Sequence, residues 1–312
     1  MKPTDSRAAI LGLRVDVDTF EGMRDGVPRL LEIFRLHKVH ATFYFAMGPD
    51  RSGLAVFNLL KPGFLKKMRS SGAAKIYSRR TMLSGTLLPS RPIGSAFPDL
   101  IRRTLAEGHE AGVHAWDHRK WQDRLLIFSP DQIIQELDLG YQAFLSAAGE
   151  KPKTFAAPAW LSRDESLLHE ESFGLTYASD CRGREPFLPV IGRQPQRTPQ
   201  VPATLPTLDE ALGRTHADAA SFFSDSLSAA VPGAFPVFTL HAELEGGPYA
   251  HHFARFLEAA KSQDIRCAPL GELLKERLTE GPLPACAMLH ASIPNRHGVV
   301  SMQAAALQKA EG

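Results

Sequence analysis

Two histidines four residues apart, His114 and His118 in Val113-His-Ala-Trp-Asp-His118, can bring two imidazole nitrogens to one divalent cation if a helical turn carries them on one face. Such a site needs a third ligand, and Asp16 and Asp18 stand in Arg14-Val-Asp-Val-Asp-Thr19, just after the first plausible strand. Two histidines and one carboxylate leave coordination positions open for water and substrate. A hydrolytic or oxygenase metal needs that, whereas a structural zinc site is closed. In a chain with 12 histidines the spacing alone is a weak signal. It gains weight because Thr239-Leu-His241 ends a later apolar run. Alternation also puts Asp16 and Asp18 on one side of their strand, where two carboxylates repel unless a cation lies near. A solvated strand end or a helix cap explains one aspartate better than two.

The elements that must position these residues alternate short apolar runs with amphipathic segments, the pattern of an α/β fold with parallel strands. Strands are expected at 10–17, 40–46, 111–114, 154–157, 177–179, 236–241 and 265–268. Helices are expected at 28–37, 99–107, 162–173, 249–263 and from 270 onward. Ser129-Pro130 offers an N-cap with proline at the first helical position, opening a helix that runs to about Ala148. About seven or eight such units close most naturally as a (β/α) barrel, with an open doubly wound sheet as the competitor. No glycine-rich phosphate loop follows the first strand, which counts against a dinucleotide-binding fold. Asp16, Asp18, His114 and His241 all fall at strand C-terminal ends, which gather on the catalytic face of a barrel.

Bulk properties narrow the setting. The 312 residues, 44% hydrophobic and 22% charged, are those of a globular chain with a sizeable core. A net charge of +2 argues against a surface given over to nucleic acid. Cys181, Cys267 and Cys286 have no paired spacing, so neither a disulfide framework nor a cysteine zinc site is indicated. The polar start, and an early apolar run broken by Arg14 and ended by aspartates, do not read as a signal peptide, and no stretch reaches transmembrane length. A cytoplasmic protein is the default. The main domain is expected over 8–278, followed by a weakly patterned tail over 279–312. Residues 49–98 read as an insertion. From Arg51 to Pro98 there are nine Lys/Arg and no Asp or Glu, among them Lys61, Lys66, Lys67, Arg69, Arg79 and Arg80, interleaved with apolar residues.

Arg14-Val-Asp-Val-Asp-Thr19, His114-Ala-Trp-Asp-His118 and Leu240-His241 resemble the first, second and last motifs of the polysaccharide deacetylase (NodB-homology) family. The resemblance implies an irregular (β/α) barrel of seven to eight strands that hydrolyses N-acyl amides on sugars with one divalent metal: zinc, cobalt or manganese. It implies Asp18, His114 and His118 as metal ligands, Asp16 as general base and His241 as general acid. The usual first motif has adjacent aspartates, and the spaced form here belongs to a subgroup. Further stretches, including Lys61-Pro-Gly-Phe-Leu65, Ser179-Asp-Cys-Arg-Gly183, Val201-Pro-Ala-Thr-Leu-Pro-Thr207 and Thr239-Leu-His-Ala-Glu-Leu-Glu-Gly246, are similar to one branch of the family. That branch deformylates 4-deoxy-4-formamido-L-arabinose on undecaprenyl phosphate, and the likeness runs from about Gly12 to Leu274.

This resemblance implies a role in lipid A modification and polymyxin resistance, at the cytoplasmic face of the bacterial inner membrane. The basic insertion would then dock on anionic lipid, where a solvated basic loop is the plainer alternative. No protein partner is implied. Many family members carry an arginine in the third motif to orient the base. The matching stretch here, Phe155-Ala-Ala-Pro-Ala-Trp160, has none. Either another donor such as Arg182, beside Asp180, holds Asp16, or the base role of Asp16 is weaker; a surface loop charge is the plainer reading of Arg182. Asp180 is expected to bind the sugar or orient His241, and Glu243 and Trp116 to support or line the site. The rival readings are an N-deacetylase or cyclic imide hydrolase of the same fold, and a catalytically silent glycolipid-binding protein.

Overall fold

The computed structural model describes residues 9–53, 89–294, 296 and 298–306. Lys61, Lys66, Lys67, Arg69, Arg79 and Arg80 of the basic insertion lie outside them. The strand β1 (Ala9–Val17) is almost entirely buried, as its near-continuous apolar run requires of a central parallel strand covered on both faces. Its second half pairs with β2 (Thr42–Phe45), which continues into β3 (Glu110–Val113), β4 (Thr154–Phe155) and β5 (Tyr177–Ala178). Residues Gly12–Asp16 pair with β8 (Val237–His241), and Ala9–Gly12 with β9 (Ile265–Ala268). All these pairings are parallel and give one seven-stranded sheet, so the expected α/β fold of parallel strands is present.

The sheet closes irregularly. Between β5 and β8 runs the extended stretch 199–205. Val201 N–H donates to the Ala178 carbonyl (2.7 Å), and Leu205 N–H donates to the Val237 carbonyl (3.2 Å). Pro199 and Pro202 have no N–H to donate, so this stretch cannot form a continuous ladder.

Helices cover the sheet. Helix α1 (Val27–His37) buries Leu30, Leu31, Ile33 and Phe34. Phe34 meets Phe43 of β2 and Phe253 of the later helix 250–262 edge-on, with ring centroids 5.9 and 5.6 Å apart. Helix α2 (Pro98–Ala106) precedes β3, and helix α3 (His118–Arg124) follows it. The expected long helix α4 (Pro130–Ala148) has a full capping box of Ser129 and Gln132 and ends on Gly149 at φ +81°, a left-handed position that favours glycine. Helices α5 (Asp164–Ser172), α6 (Leu208–Ala211), α7 (Ala219–Ser228), α8 (Ala250–Ser262) and α9 (Leu270–Thr279) complete the described set. None of the described helices is long and apolar enough to cross a membrane.

Residues 285–306 differ from the weakly patterned tail expected there. They form β10 (Ala285–Ala291) and β11 (Val300–Ala306), an antiparallel pair. Strand β10 also runs parallel to β6 (Leu188–Ile191), which pairs with β7 (Gln194–Pro195) in a second, four-stranded sheet. The reason is long-range: Arg182 N–H donates to the Ser301 carbonyl and Gln303 N–H to the Arg182 carbonyl, both at 2.8 Å, so the segment after β5 is the template for β11.

Candidate active site

Strand β1 delivers three charged residues to one end of the sheet. Arg14 is fully buried and grips Asp16 with two hydrogen bonds, Nε to Oδ1 (2.7 Å) and Nη2 to Oδ2 (2.8 Å). Its remaining Nη1 donates to the Ser179 carbonyl (2.5 Å) and Oγ (3.0 Å). A forked, fully bonded pair is the form in which two charges tolerate burial. The donor that orients Asp16 is therefore Arg14, two residues back on the same strand face, and not Arg182.

His114 and His118 do not share a helical turn. His114 lies just past the end of β3, Ala115 turns the chain at φ +60°, and Asp117 caps α3 by accepting the Lys120 N–H, so that His118 is the first residue of that helix. Loop geometry brings the two rings together with centroids 5.1 Å apart. His114 Nδ1–H donates to the Ala156 carbonyl (2.7 Å), which turns Nε2 toward Asp18, 3.3 Å from its Oδ1. His118 Nε2 lies 3.3 Å from Asp18 Oδ2.

The ligand atoms of Asp18, His114 and His118 all fall within 4.8 Å of one another. Buried Asp18 Oδ1 meets no hydrogen-bond partner among the described residues. Burial opposes the Asp18 charge, yet His118, His114 and His241 together hold its carboxyl well below the ordinary carboxylate range. Burial pushes His118 down to about 4. An anionic carboxylate and neutral imidazoles are the forms that bind a divalent cation, so these three residues fit one.

His241 at the end of β8 also faces Asp18, with Nε2 3.9 Å from Oδ2. Its other nitrogen, Nδ1, faces Asp209 Oδ1 of α6 at 3.5 Å. Burial works against the imidazolium, but Asp209 and then Asp18 prevail and raise His241 to about 9. The backbone fixes the loop as well, His241 N–H donating to Glu245 Oε2 (2.8 Å). Close approach of the helical turn 22–26 helps: a Cβ on Gly26 would stand 2.1 Å from the Ala242 carbonyl oxygen, so only glycine lets the two segments touch. Asp209 escaped the sequence reading. Thr207-Leu-Asp-Glu210 carries a readable helix-start signature, realised as a capping box, but nothing local ties it to His241.

The structure places four other expected residues as follows. Asp180 is fully buried, accepting the Ala157 N–H (2.8 Å) and the Gln200 amide (2.7 Å). It neither lines the sugar side nor touches His241, but braces the loop whose Ala156 carbonyl orients His114. Arg182 pairs with Glu210 (2.7 Å) and packs its guanidinium 4.4 Å from the Trp160 ring centre. Glu243 lies against Gly22, with its buried Oε2 unpartnered among the described residues, and burial together with Asp18 pushes its carboxyl well above the ordinary value. Trp116 is half-buried against Gly48, whose N–H donates to its carbonyl (2.8 Å).

Comparison with known proteins agrees with this geometry. Residues 13–178 match the polysaccharide deacetylase family model. A protein of Shewanella sediminis named probable 4-deoxy-4-formamido-L-arabinose-phosphoundecaprenol deformylase ArnD is 39% identical over 299 residues, covering 96% of each chain. Its namesake in Wigglesworthia glossinidia brevipalpis is 34% identical over 285 residues, covering 90% of this chain and 98% of the other. Among solved structures, a candidate polysaccharide deacetylase from Mycobacterium smegmatis superposes with a TM-score of 0.59 at 18% identity, covering 91% of this chain and 95% of that one. A CE4-family pseudoenzyme from Bacillus anthracis gives 0.51 at 16% identity, covering 86% and 66%. These structural likenesses carry the fold alone, since one of the two is a pseudoenzyme.

Proposed function

The chain belongs to the polysaccharide deacetylase family, and from that premise we propose that this amide hydrolase removes the formyl group from 4-deoxy-4-formamido-L-arabinose carried on undecaprenyl phosphate. The observation that carries an active hydrolase is the simultaneous presence of three groups around Asp18: a metal-fitting triad, an arginine-held Asp16, and a His241 charged by Asp209. A silent binding protein has no use for all three. The formyl sugar itself is supported by the near full-length relatives.

Asp18, His114 and His118 would hold the divalent metal (zinc, cobalt or manganese), which when bound supplies Lewis acidity at the formyl oxygen and at a water. Asp16, kept in one rotamer by Arg14, accepts the proton of the attacking water. His241 enters protonated on both nitrogens, one facing Asp18 and the other Asp209. Its Nε2 proton passes to the sugar nitrogen as the C–N bond breaks, so the amine leaves neutral and formate remains. Asp209 keeps the imidazole charged and in orientation.

Removing that partner has a defined sign. Asp209 raises the His241 pKa, so Asp209→Asn lowers it and shrinks the protonated fraction at neutral and alkaline pH. The alkaline limb of the kcat profile should move to lower pH, with a loss of roughly tenfold to a hundredfold near pH 8. An unmoved limb would remove Asp209 from this role. The central assay is formate release from the lipid-linked formamido sugar beside an N-acetyl analogue. Release of acetate but not formate would favour the N-deacetylase reading.

A substrate on undecaprenyl phosphate would bring the protein to a membrane surface, read here as the cytoplasmic face of the bacterial inner membrane, and the product would serve lipid A modification and polymyxin resistance. Lys61, Lys66, Lys67, Arg69, Arg79 and Arg80 would dock the insertion on anionic lipid, at about 1 kcal/mol per cation near the surface. Neutralising Lys66, Lys67 and Arg69 together should release the protein from anionic vesicles while sparing turnover of a soluble short-chain substrate. Unchanged sedimentation with vesicles would argue for a solvated loop.

A further inference from the structure

Two consecutive residues at the end of β5 support two different parts of the site. The Ser179 carbonyl and Oγ receive the Arg14 guanidinium that grips Asp16. One residue on, the Asp180 carboxylate accepts the Ala157 N–H through Oδ1 (2.8 Å) and the Gln200 amide through Oδ2 (2.7 Å), while the Asp180 N–H donates to Gln200 Oε1 (2.9 Å). The Ala157 N–H and the Ala156 carbonyl belong to one planar peptide group. Asp180 therefore holds one edge of the plane whose other edge accepts the His114 Nδ1–H. A tilt that breaks one bond misdirects the other.

Asp180 is held in turn from α5. Glu170 is 1% exposed, and neither of its carboxyl oxygens meets an N–H or O–H donor among the described residues. What the Glu170 carboxyl does meet is the carboxyl of Asp180. Two ionised carboxylates only accept, so when buried side by side they repel; one proton between them turns the repulsion into a hydrogen bond. Burial, and then the Asp180 charge, push Glu170 well above the ordinary glutamate value, which puts the proton there. Burial raises Asp180 too, but the Gln200 amide, Glu170, the Ala157 N–H and Arg14 oppose it. The Cys181 thiol is a further ionisable group beside Asp180. None of the hydrolytic steps uses the Glu170 proton.

We propose that Glu170 is a positioning residue of the metal site: as a neutral acid it donates to Asp180, which keeps the Ala156–Ala157 peptide, and with it the His114 ring, set for the metal. This rests on reading Asp18, His114 and His118 as the ligands.

The test uses the full chain, with Glu170→Met and Glu170→Gln. Methionine keeps much of the volume and removes the donor, whereas glutamine supplies an N–H donor that needs no proton. Zinc affinity, measured by competition with a chromophoric chelator, should weaken about tenfold to a hundredfold in Glu170→Met and recover to within about threefold of wild type in Glu170→Gln. Equal affinity in all three proteins overturns the proposal, as do equal losses in both variants. If wild type binds no zinc, the ligand reading itself fails and takes the proposal with it. If wild type and Glu170→Met bind zinc equally well, the proposal fails alone.

Two further measurements stand even if methionine does not fold. Wild type should show the infrared C=O stretch of a buried carboxylic acid, and Glu170→Gln should lack it. No such band in wild type, or the same band in Glu170→Gln, overturns the neutral acid. The second is the thermal midpoint against pH. A folded-state value above the unfolded one makes folding take up a proton, so wild type loses stability as pH rises above the ordinary glutamate value. Glu170→Gln escapes that loss, and its midpoint should gain on wild type from about pH 5 to about pH 8. A gap that does not change with pH overturns the proposal.

Discussion

His114→Ala is expected to bring formate release to background and bound divalent metal to trace levels after dialysis. The residue contributes more than a third ligand. Its Nδ1–H bond to the Ala156 carbonyl fixes both the tautomer and the ring plane, and Asp180 holds that loop from beneath through the Ala157 N–H. With His114 gone, Asp18 and His118 are a two-point site open to water. His114 is buried, so alanine also leaves a cavity, and His114→Gln guards against mistaking unfolding for metal loss. Metal content and the thermal midpoint, measured together, separate the two. A folded His114→Gln protein that keeps its metal and its rate would remove His114 from the site.

The second large effect divides into rate and stability. Asp16→Asn should lower kcat by about 10²–10⁴ while metal content stays near stoichiometric, because the base is lost and Asp18, His114 and His118 are not. Among the described residues Asp16 is also the only carboxylate hydrogen-bonded to fully buried Arg14, so asparagine strands a buried cation. Breaking such a pair costs about 3–5 kcal/mol of stability. Arg14→Met strands the carboxylate instead and should cost about as much, with a rate loss that reflects a misoriented base. The double variant Arg14→Met/Asp16→Asn buries no unpaired charge. It should recover much of the stability and none of the rate, a strongly non-additive cycle. Denaturant midpoints and formate release on the four proteins decide it. Additive stability losses would mean that the pair is not coupled as its geometry implies.

These residues also mark how far the sequence could be read. Strand β1 was legible because a central parallel strand reads as a near-continuous apolar run, and α4 because Ser129-Pro130 and Gly149 announce its ends locally. Arg14 looked like an interruption of that run. Its spacing of two from Asp16 already placed both on one strand face, and that was the available signal. The His114 and His118 pairing was right in its partners and wrong in its element, since a left-handed Ala115 cannot be read from an alanine. Asp209 meets His241 only because α6 and β8 end at the same corner, a fact of tertiary closure. Strands β10 and β11 were illegible for the same reason: their pattern of exposure is set by β6 and by the backbone of Arg182.

The position of Arg14 and Asp16 within one strand bears on how the chain can fold at all. Strand β1 is the hub of the sheet, yet two of its three partners, β8 and β9, are made near the far end of the chain. Such distant pairings form late and keep the nascent hub waiting. A lone carboxylate in that strand would need a cation from elsewhere before the sheet could shut over it. Carrying its own counterion two residues away, the segment can enter the closing core already neutral. The order of assembly is thereby relieved of an electrostatic obstacle, and the most polar part of the hub need not be the last to settle.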